Sequence, residues 1–141
     1  MNVKQKTIKA EVSVSGVGLH TGASVTLTFC PAPENHGFKF QRTDLPGQPI
    51  VDADCDNVTD TARGTTISQN GASVSTVEHV MASLVAMDLD TVLMKVDGPE
   101  TPIMEGSAIL FVEALEAAGV VHQTVDREYF QIPHNLTYTE V

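Results

Sequence analysis

Hydrophobic and polar residues alternate through much of the first half of the chain, and this two-residue period predicts strands with one buried face. A glycine-rich stretch, Gly16-Val-Gly-Leu-His-Thr-Gly22, interrupts the alternation and predicts a tight turn. Pro31 and Pro33 are expected to end the strand that follows it. Three strands are predicted in this way, over residues 7–15, 25–29 and 38–41.

A helical period replaces the alternation after residue 75. Apolar residues recur at i, i+3, i+4, i+7 and i+8, which predicts a helix with one buried face, formed by Val77, Val80, Met81, Leu84 and Val85. Ser75 and Glu78 have the spacing of a capping box, which marks the start of this helix. Just before it, Asn70-Gly71 predicts a tight hairpin between residues 65–68 and 72–74.

The remaining segments complete the predicted order of elements. Residues 44–63 are interpreted as an irregular loop, whose aspartates do not have the spacing of a calcium-binding loop. A buried strand is expected at residues 91–96 and a second helix from Ser107 to Gly119. This helix is apolar almost all round, which is typical of a helix covered on more than one side. Residues 120–128 look like a polar connector, and a further strand begins near Tyr129.

Together these elements predict an α+β fold, a two-layer sandwich in which a mostly antiparallel sheet carries two helices on one face. The chain has 141 residues, the usual size of one domain. Residues 1–126 are assigned to an N-terminal domain, and residues 127–141 to a connector and the first strand of a truncated second domain.

Composition narrows the functions that are compatible with this fold. A content of 42% hydrophobic and 18% charged residues is typical of a globular protein. The net charge of −10 disfavours nucleic acid as a partner, because phosphate backbones are repelled. No apolar run is long enough to predict a transmembrane helix. Two cysteines without CxxC spacing and no visible signal peptide favour a cytoplasmic location.

The candidate chemistry lies at the start of the first helix, where an acid and an imidazole are adjacent. Glu78 has two open interpretations: the capping partner of Ser75, or a catalytic base. His79 is either a packed or solvated histidine or a metal ligand, since neutral imidazole binds metal. The helix face of His79 also carries small residues that allow another layer of protein, or a second copy of the chain, to pack closely: Ala82, Ser83 and Ala86.

Four motifs, in this order and spacing, resemble the zinc-dependent UDP-3-O-acyl-N-acetylglucosamine deacetylases of lipid A synthesis in Gram-negative bacteria. They are Gly16-Val-Gly-Leu-His-Thr-Gly22, Arg42-Thr-Asp44, Ser75-Thr-Val-Glu-His79 and Pro102-Ile-Met-Glu-Gly-Ser107. The resemblance covers most of residues 5–119, and the family usually has an Asp at the position of Glu105. It implies that Glu78 is the general base, that His79 is a Zn²⁺ ligand and that His20 contacts the UDP-sugar lipid substrate. The alternative for His20 is a turn histidine with a local hydrogen bond.

The resemblance also implies a second domain, which supplies the other zinc ligands, a His and an Asp four residues apart on a helix. His122 and Asp126 have that gap but lie beyond the predicted helices and outside the family motif, so we interpret their spacing as chance. One ligand does not hold zinc tightly. The sequence therefore predicts the N-terminal part of a deacetylase, inactive by itself. The alternative is a non-catalytic module that serves packing or self-association.

Overall fold

The computed structural model describes residues 3–140, which form ten strands and two α-helices. The strands are β1 (Lys4–Ile8), β2 (Val12–Val17), β3 (Ser24–Pro31), β4 (Phe38–Arg42), β5 (Ile50–Asp52), β6 (Val58–Asp60), β7 (Thr66–Gln69), β8 (Ala72–Ser75), β9 (Val92–Val96) and β10 (Val120–Asp126). The helices are α1 (Glu78–Ala86) and α2 (Ile109–Ala118), and a single 3₁₀ turn lies at Cys55–Asn57.

The strands form three sheets. The largest has the strand order β2-β3-β9-β4-β5, and it is antiparallel except between β4 and β9, which are parallel. Strands β6, β7 and β8 form a second antiparallel sheet, and β1 pairs with β10. This arrangement confirms the predicted α+β class with a mostly antiparallel sheet.

The core lies between the five-stranded sheet and the two helices. Alternate residues of β3, among them Leu27 and Phe29, are fully buried, and so are Leu84 of α1 and Phe111 of α2. The rings of Phe29 and Phe111 meet edge to face, with centroids 6.2 Å apart. Each such side chain contributes about 1.5–3 kcal/mol when it leaves water, so this layer is a main source of stability.

Several sequence-based predictions are confirmed at the level of single turns. The β7–β8 hairpin turns at Asn70 and Gly71, both of which have positive φ, as a type I′ turn requires. Helix α2 ends at Gly119, which has φ 81°. The predicted cap at Ser107 is wrong by one residue: Ala108 occupies the N-cap position of α2 without a side-chain cap bond, and the Ser107 hydroxyl accepts a hydrogen bond from Ile109 N at 3.3 Å.

The predicted strand over residues 7–15 is wrong, because this segment forms two strands in different sheets. β1 pairs with β10, whereas β2 pairs with β3. The polar connector predicted at residues 120–128 is wrong for the same reason, since β10 fills it. A strand whose partner lies more than a hundred residues away, and which keeps alternate residues exposed, has too weak a local pattern to be recognised.

The loop predicted at residues 44–63 also contains regular structure, namely β5, the 3₁₀ turn and β6. Both strands have three residues, too few for a periodic pattern to be visible. By contrast, residues 127–140 belong to no strand or helix, so the strand expected near Tyr129 is not formed here. The assignment of residues 127–141 to a second domain stays a prediction, and Val141 lies outside the described residues.

Helix α1 is turned relative to its predicted orientation. Its buried stripe runs through Val80, Ser83 and Leu84, which face the core, while Val85 is 72% exposed. The Ser83 hydroxyl is fully buried and donates to the carbonyl of Val80 at 2.6 Å. Of the small residues predicted to share the face of His79, Ser83 is therefore buried within the domain, whereas Ala82 and Ala86 are exposed. Helix α2 packs beside α1.

The predicted capping box is absent. Val77 occupies the N-cap position of α1 with no side-chain hydrogen bond, and Ser75 instead bonds through its hydroxyl to that of Thr66 at 2.9 Å. Neither helix of the described residues is long and apolar enough to cross a membrane.

Candidate functional site

Glu78 and His79 are the first two residues of α1. The Glu78 side chain points away from its own helix, and its Oε1 accepts a hydrogen bond from the backbone N–H of Thr65, in the segment between β6 and β7. The carboxylate therefore does not bond to the backbone of Ser75 as it would in a capping box. His79 is half-buried, and its ring makes no hydrogen bond within residues 3–140. Both side chains thus have atoms available for a ligand: Glu78 Oε2 and the imidazole nitrogens.

His20 lies on the turn between β2 and β3 and reaches a different loop. Its Nε2 donates to the backbone carbonyl of Arg63 at 3.0 Å, because a carbonyl oxygen only accepts. Nε2 therefore carries a proton in this arrangement. This bond spans 43 residues, so the local turn contact considered as an alternative is not the one that His20 makes. It ties the glycine-rich turn to the same loop that holds Glu78.

A carboxylate that the sequence did not single out, Glu100, lies beneath this turn. It is only 1% exposed. Its Oε1 accepts from the backbone N–H groups of His20 and Thr21, both at 3.0 Å, and its Oε2 accepts from the Thr76 hydroxyl at 2.6 Å. Burial alone would raise the pKa of Glu100, but the hydrogen bonds from Thr76, Thr21 and His20 outweigh it and lower the pKa, because they favour the ionised form.

Gly18 lets the turn approach Glu100 this closely. A Cβ atom at position 18 would overlap both the Glu100 carboxylate and the Thr21 hydroxyl. Position 18 therefore requires glycine, because the Glu100 carboxylate occupies the space that a side chain would fill.

Thr76 joins this cluster to the helix that carries Glu78 and His79. It has φ 60°, a left-handed conformation that is strained for a β-branched residue. Three hydrogen bonds hold it there. Its N–H donates to Thr65 O at 2.9 Å, its carbonyl accepts from the Thr101 hydroxyl, and its own hydroxyl donates to Glu100.

These residues surround an open cleft of about 260 Å³. Gly64 lies in its wall next to the Glu78 carboxylate, since a Cβ at Gly64 would be 3.7 Å from both Glu78 oxygens. The structure thus brings His20 and the carboxylate of Glu78 to the same loop at one cleft. The lining residues are His20, Thr21, Asp60, Ala62, Arg63, Gly64, Thr66, Ser75, Thr76 and Glu100.

A tight zinc site needs three or four ligands, and the described residues do not bring that many to His79. Within residues 3–140, the one set of three potential ligand side chains whose ligand atoms lie within 4.8 Å of one another is Asp54, Cys55 and Asp56, and all three are exposed. His79 is not part of it. His122 and Asp126 lie on β10 and do not line the cleft. Within residues 3–140, His79 is therefore not part of a complete set of zinc ligands.

The fold and this site define an α+β domain that brings His20 and the carboxylates of Glu78 and Glu100 to one cleft. The family model described as LpxC, UDP-3-O-acyl N-acetylglycosamine deacetylase, matches residues 5–141. The chain therefore belongs to this deacetylase family.

Curated relatives carry the same family name. A bifunctional enzyme LpxC/FabZ of Bacteroides thetaiotaomicron is 50% identical over 98% of the chain. UDP-3-O-acyl-N-acetylglucosamine deacetylases of Myxococcus xanthus and Bdellovibrio bacteriovorus are 45% and 44% identical over 91% and 96% of the chain. The chain spans 30%, 41% and 45% of the length of these three relatives, respectively.

Proposed function

We propose that the chain is the N-terminal part of a zinc-dependent enzyme that removes the acetyl group of UDP-3-O-acyl-N-acetylglucosamine in lipid A synthesis, in the cytoplasm. Glu78 is its general base, His79 one of its zinc ligands and His20 a substrate contact. The observation that carries the proposal is the adjacency of Glu78 and His79 at the start of α1, beside a cleft that His20 lines. Membership of the deacetylase family supports it.

The atoms at the cleft are suited to amide hydrolysis. Glu78 Oε1 is fixed by the Thr65 N–H, which orients the carboxylate and leaves Oε2 to take a proton from an attacking water. Returning that proton to the departing nitrogen gives a free amine on the sugar and acetate. Bound zinc polarises water and carbonyl oxygen in sites of this kind. His20 Nδ1 makes no hydrogen bond within the described residues and, in the neutral form of the ring, can accept one from a substrate hydroxyl.

The proposal places the remaining zinc ligands in a second domain, outside the described residues. The share of each relative that the chain spans leaves room for such a domain. These 141 residues should then bind zinc weakly at most and should not deacetylate. The alternative, a packing module that self-associates through the face of Ala82 and Ala86, is less well supported, because Ser83 in the middle of that face is buried.

The test uses the protein encoded by the complete gene, assayed for acetate release from UDP-3-O-acyl-N-acetylglucosamine and for zinc by atomic absorption. Glu78→Gln should keep zinc and lose activity by about 10²–10⁴-fold, the usual contribution of a general base. His79→Ala should lose both. Matched controls are Glu113→Gln and His122→Ala, exposed residues on α2 and β10, which should retain zinc and activity.

Two results would contradict the proposal. One is a full zinc content in His79→Ala, which would assign the metal to other residues. The other is unchanged activity in Glu78→Gln, which would remove the general base from its proposed position.

A further inference from the structure

We propose that Glu100 is a positioning residue for the deacetylase reaction: it fixes His20 relative to the first turn of α1. The inference rests on the proposed function, because it assigns a role in that reaction to a residue that does not itself contact substrate.

The two oxygens connect separate segments of the chain. Oε1 holds the backbone of His20 and Thr21 in the glycine-rich turn, and Oε2 holds the hydroxyl of Thr76, two residues before α1. Glu100 itself is anchored by a parallel bridge to Ser75 at the end of β8. Its position is therefore set by the same strand end that leads into α1.

A closed ring of contacts follows from this arrangement. The turn held by Glu100 carries His20, whose ring bonds to Arg63 O. Two residues further on, the N–H of Thr65 bonds to Glu78. The chain then returns through Thr76, whose hydroxyl bonds to Glu100. Every link is a hydrogen bond or a stretch of two or three residues, so a shift of Glu100 is passed to the imidazole of His20.

An ionised carboxylate fits this arrangement best. Its Oε1 accepts from two backbone N–H groups, which only donate, and its Oε2 accepts from the Thr76 hydroxyl and also, at 3.3 Å, from the His20 N–H. A glutamine that keeps its oxygen toward the two amides places its NH₂ group at the Oε2 position, where it opposes the His20 N–H and bonds to Thr76 only if that hydroxyl becomes the acceptor. Glu100→Gln therefore keeps the volume of the side chain and displaces the turn that carries His20.

The experiment measures kcat/KM of the full-length enzyme for Glu100→Gln, with Glu113→Gln as the matched control. A displacement of about 1 Å can cost on the order of 10²-fold in rate, so we expect Glu100→Gln to lose at least about tenfold. Thr76→Val and Thr76→Ser form a second pair. Val keeps the branched shape without the hydroxyl and should lose activity, whereas Ser keeps the hydroxyl and should restore it.

Coupling to His20 separates positioning from a general loss of structure. If Glu100 acts through His20, the double variant Glu100→Gln/His20→Ala should be no more than about twofold worse than His20→Ala alone. Hydrogen exchange of the peptide spanning residues 18–21 should become faster in Glu100→Gln and stay unchanged in Glu113→Gln. Losses that multiply, or faster exchange with unchanged kcat/KM, would overturn the inference.

The wild-type assay distinguishes the two proposals. A full-length wild type that does not deacetylate the substrate overturns the proposed function, and the positioning role of Glu100 with it. An active wild type with an equally active Glu100→Gln variant overturns the positioning role alone and leaves the proposed function in place.

Discussion

Replacing Gly18 by alanine tests the packing beneath the glycine-rich turn most directly. The added Cβ would overlap the Glu100 carboxylate and the Thr21 hydroxyl, and Gly18 is buried, so the methyl group cannot turn toward solvent. Gly18 does not have a positive φ, unlike Gly22 in the same turn. The expected effect therefore comes from steric overlap and the hydrogen bonds that it breaks, with no contribution from backbone conformation.

The size of the effect follows from the two ways in which the overlap can be relieved. If the turn moves as a whole, the cost is that of overpacking, about 1–3 kcal/mol. If Glu100 withdraws, it loses hydrogen bonds from the amides of His20 and Thr21, each worth about 1.5–3 kcal/mol because the acceptor is charged. Movement of the turn is the less costly route, and because the Cβ would overlap two groups, its cost is expected in the upper part of that range, about 2–3 kcal/mol.

Urea unfolding of the 141-residue chain, followed by far-UV circular dichroism, measures this loss. With a slope near 2 kcal/mol per molar urea, the midpoint should fall by about 1 M or more. Gly22→Ala is the matched control: it has φ 66° and no atom within 4 Å of the added Cβ, so it should lose only about 1 kcal/mol from the left-handed conformation.

A double-mutant cycle with Glu100→Ala identifies the clashing partner. Removing the carboxylate makes space for the methyl group, so the double variant should be more stable than the sum of the single losses predicts. Equal losses for Gly18→Ala and Gly22→Ala, or strict additivity with Glu100→Ala, would refute the reasoning.

Two further predictions concern charged groups. Asp44→Asn should cost about 1.5–2 kcal/mol in urea unfolding, because it removes the charge from a bidentate pair, 2.8 and 2.7 Å, with the buried guanidinium of Arg42. Asp52→Asn, which breaks a solvent-exposed 3.6 Å pair, should cost about 0–0.5 kcal/mol. The pKa of Glu100 is lowered in the fold, so its stabilisation is complete above the ordinary pKa, 4.5, and is lost as the pH falls through the lowered pKa. The stability difference between wild type and Glu100→Gln should therefore shrink in acid, and a constant difference from pH 7 to pH 2 would refute this.

Local chemistry was enough to predict the elements that depend on neighbouring residues. Short stretches of sequence were enough to predict the β7–β8 hairpin, the end of α2 at Gly119 and the alternation of β3. The predictions that were wrong concern features that depend on residues distant in the sequence. β10 pairs with β1, more than a hundred residues away, and the buried face of α1 depends on the elements packed against it, among them α2. The hydrophobic pattern of residues 120–126 and 80–87 does not show which distant elements pack against these segments.

In the candidate site, too, residues within local motifs were predicted from the sequence, and a buried residue outside them was not. Glu78, His79 and His20 were predicted from their motifs, and the structure places the Glu78 carboxylate and His20 near one cleft. Glu100 was missed because the sequence of a loop such as Asp97-Gly-Pro-Glu-Thr101 does not show whether an acidic side chain is buried or solvated. The available signal was indirect: Gly18 stands in the middle of a turn without needing a positive φ, and a glycine of that kind is typical of close approach by another group.

The absent capping box has a physical cause, and that cause bears on the site. Thr76 adopts φ 60°, which turns the chain sharply between β8 and α1, at a strain of about 1–3 kcal/mol. In a regular capping box the Glu78 carboxylate would bond to the backbone of Ser75 and be unavailable to a substrate. With the turn at Thr76, Ser75 bonds to Thr66 and Glu78 bonds to Thr65, at the wall of the cleft. The hydrogen bond to Glu100 helps to hold Thr76 in this conformation. The buried carboxylate of Glu100 thus stabilises the strained conformation of Thr76, and this conformation directs the Glu78 carboxylate to the wall of the cleft.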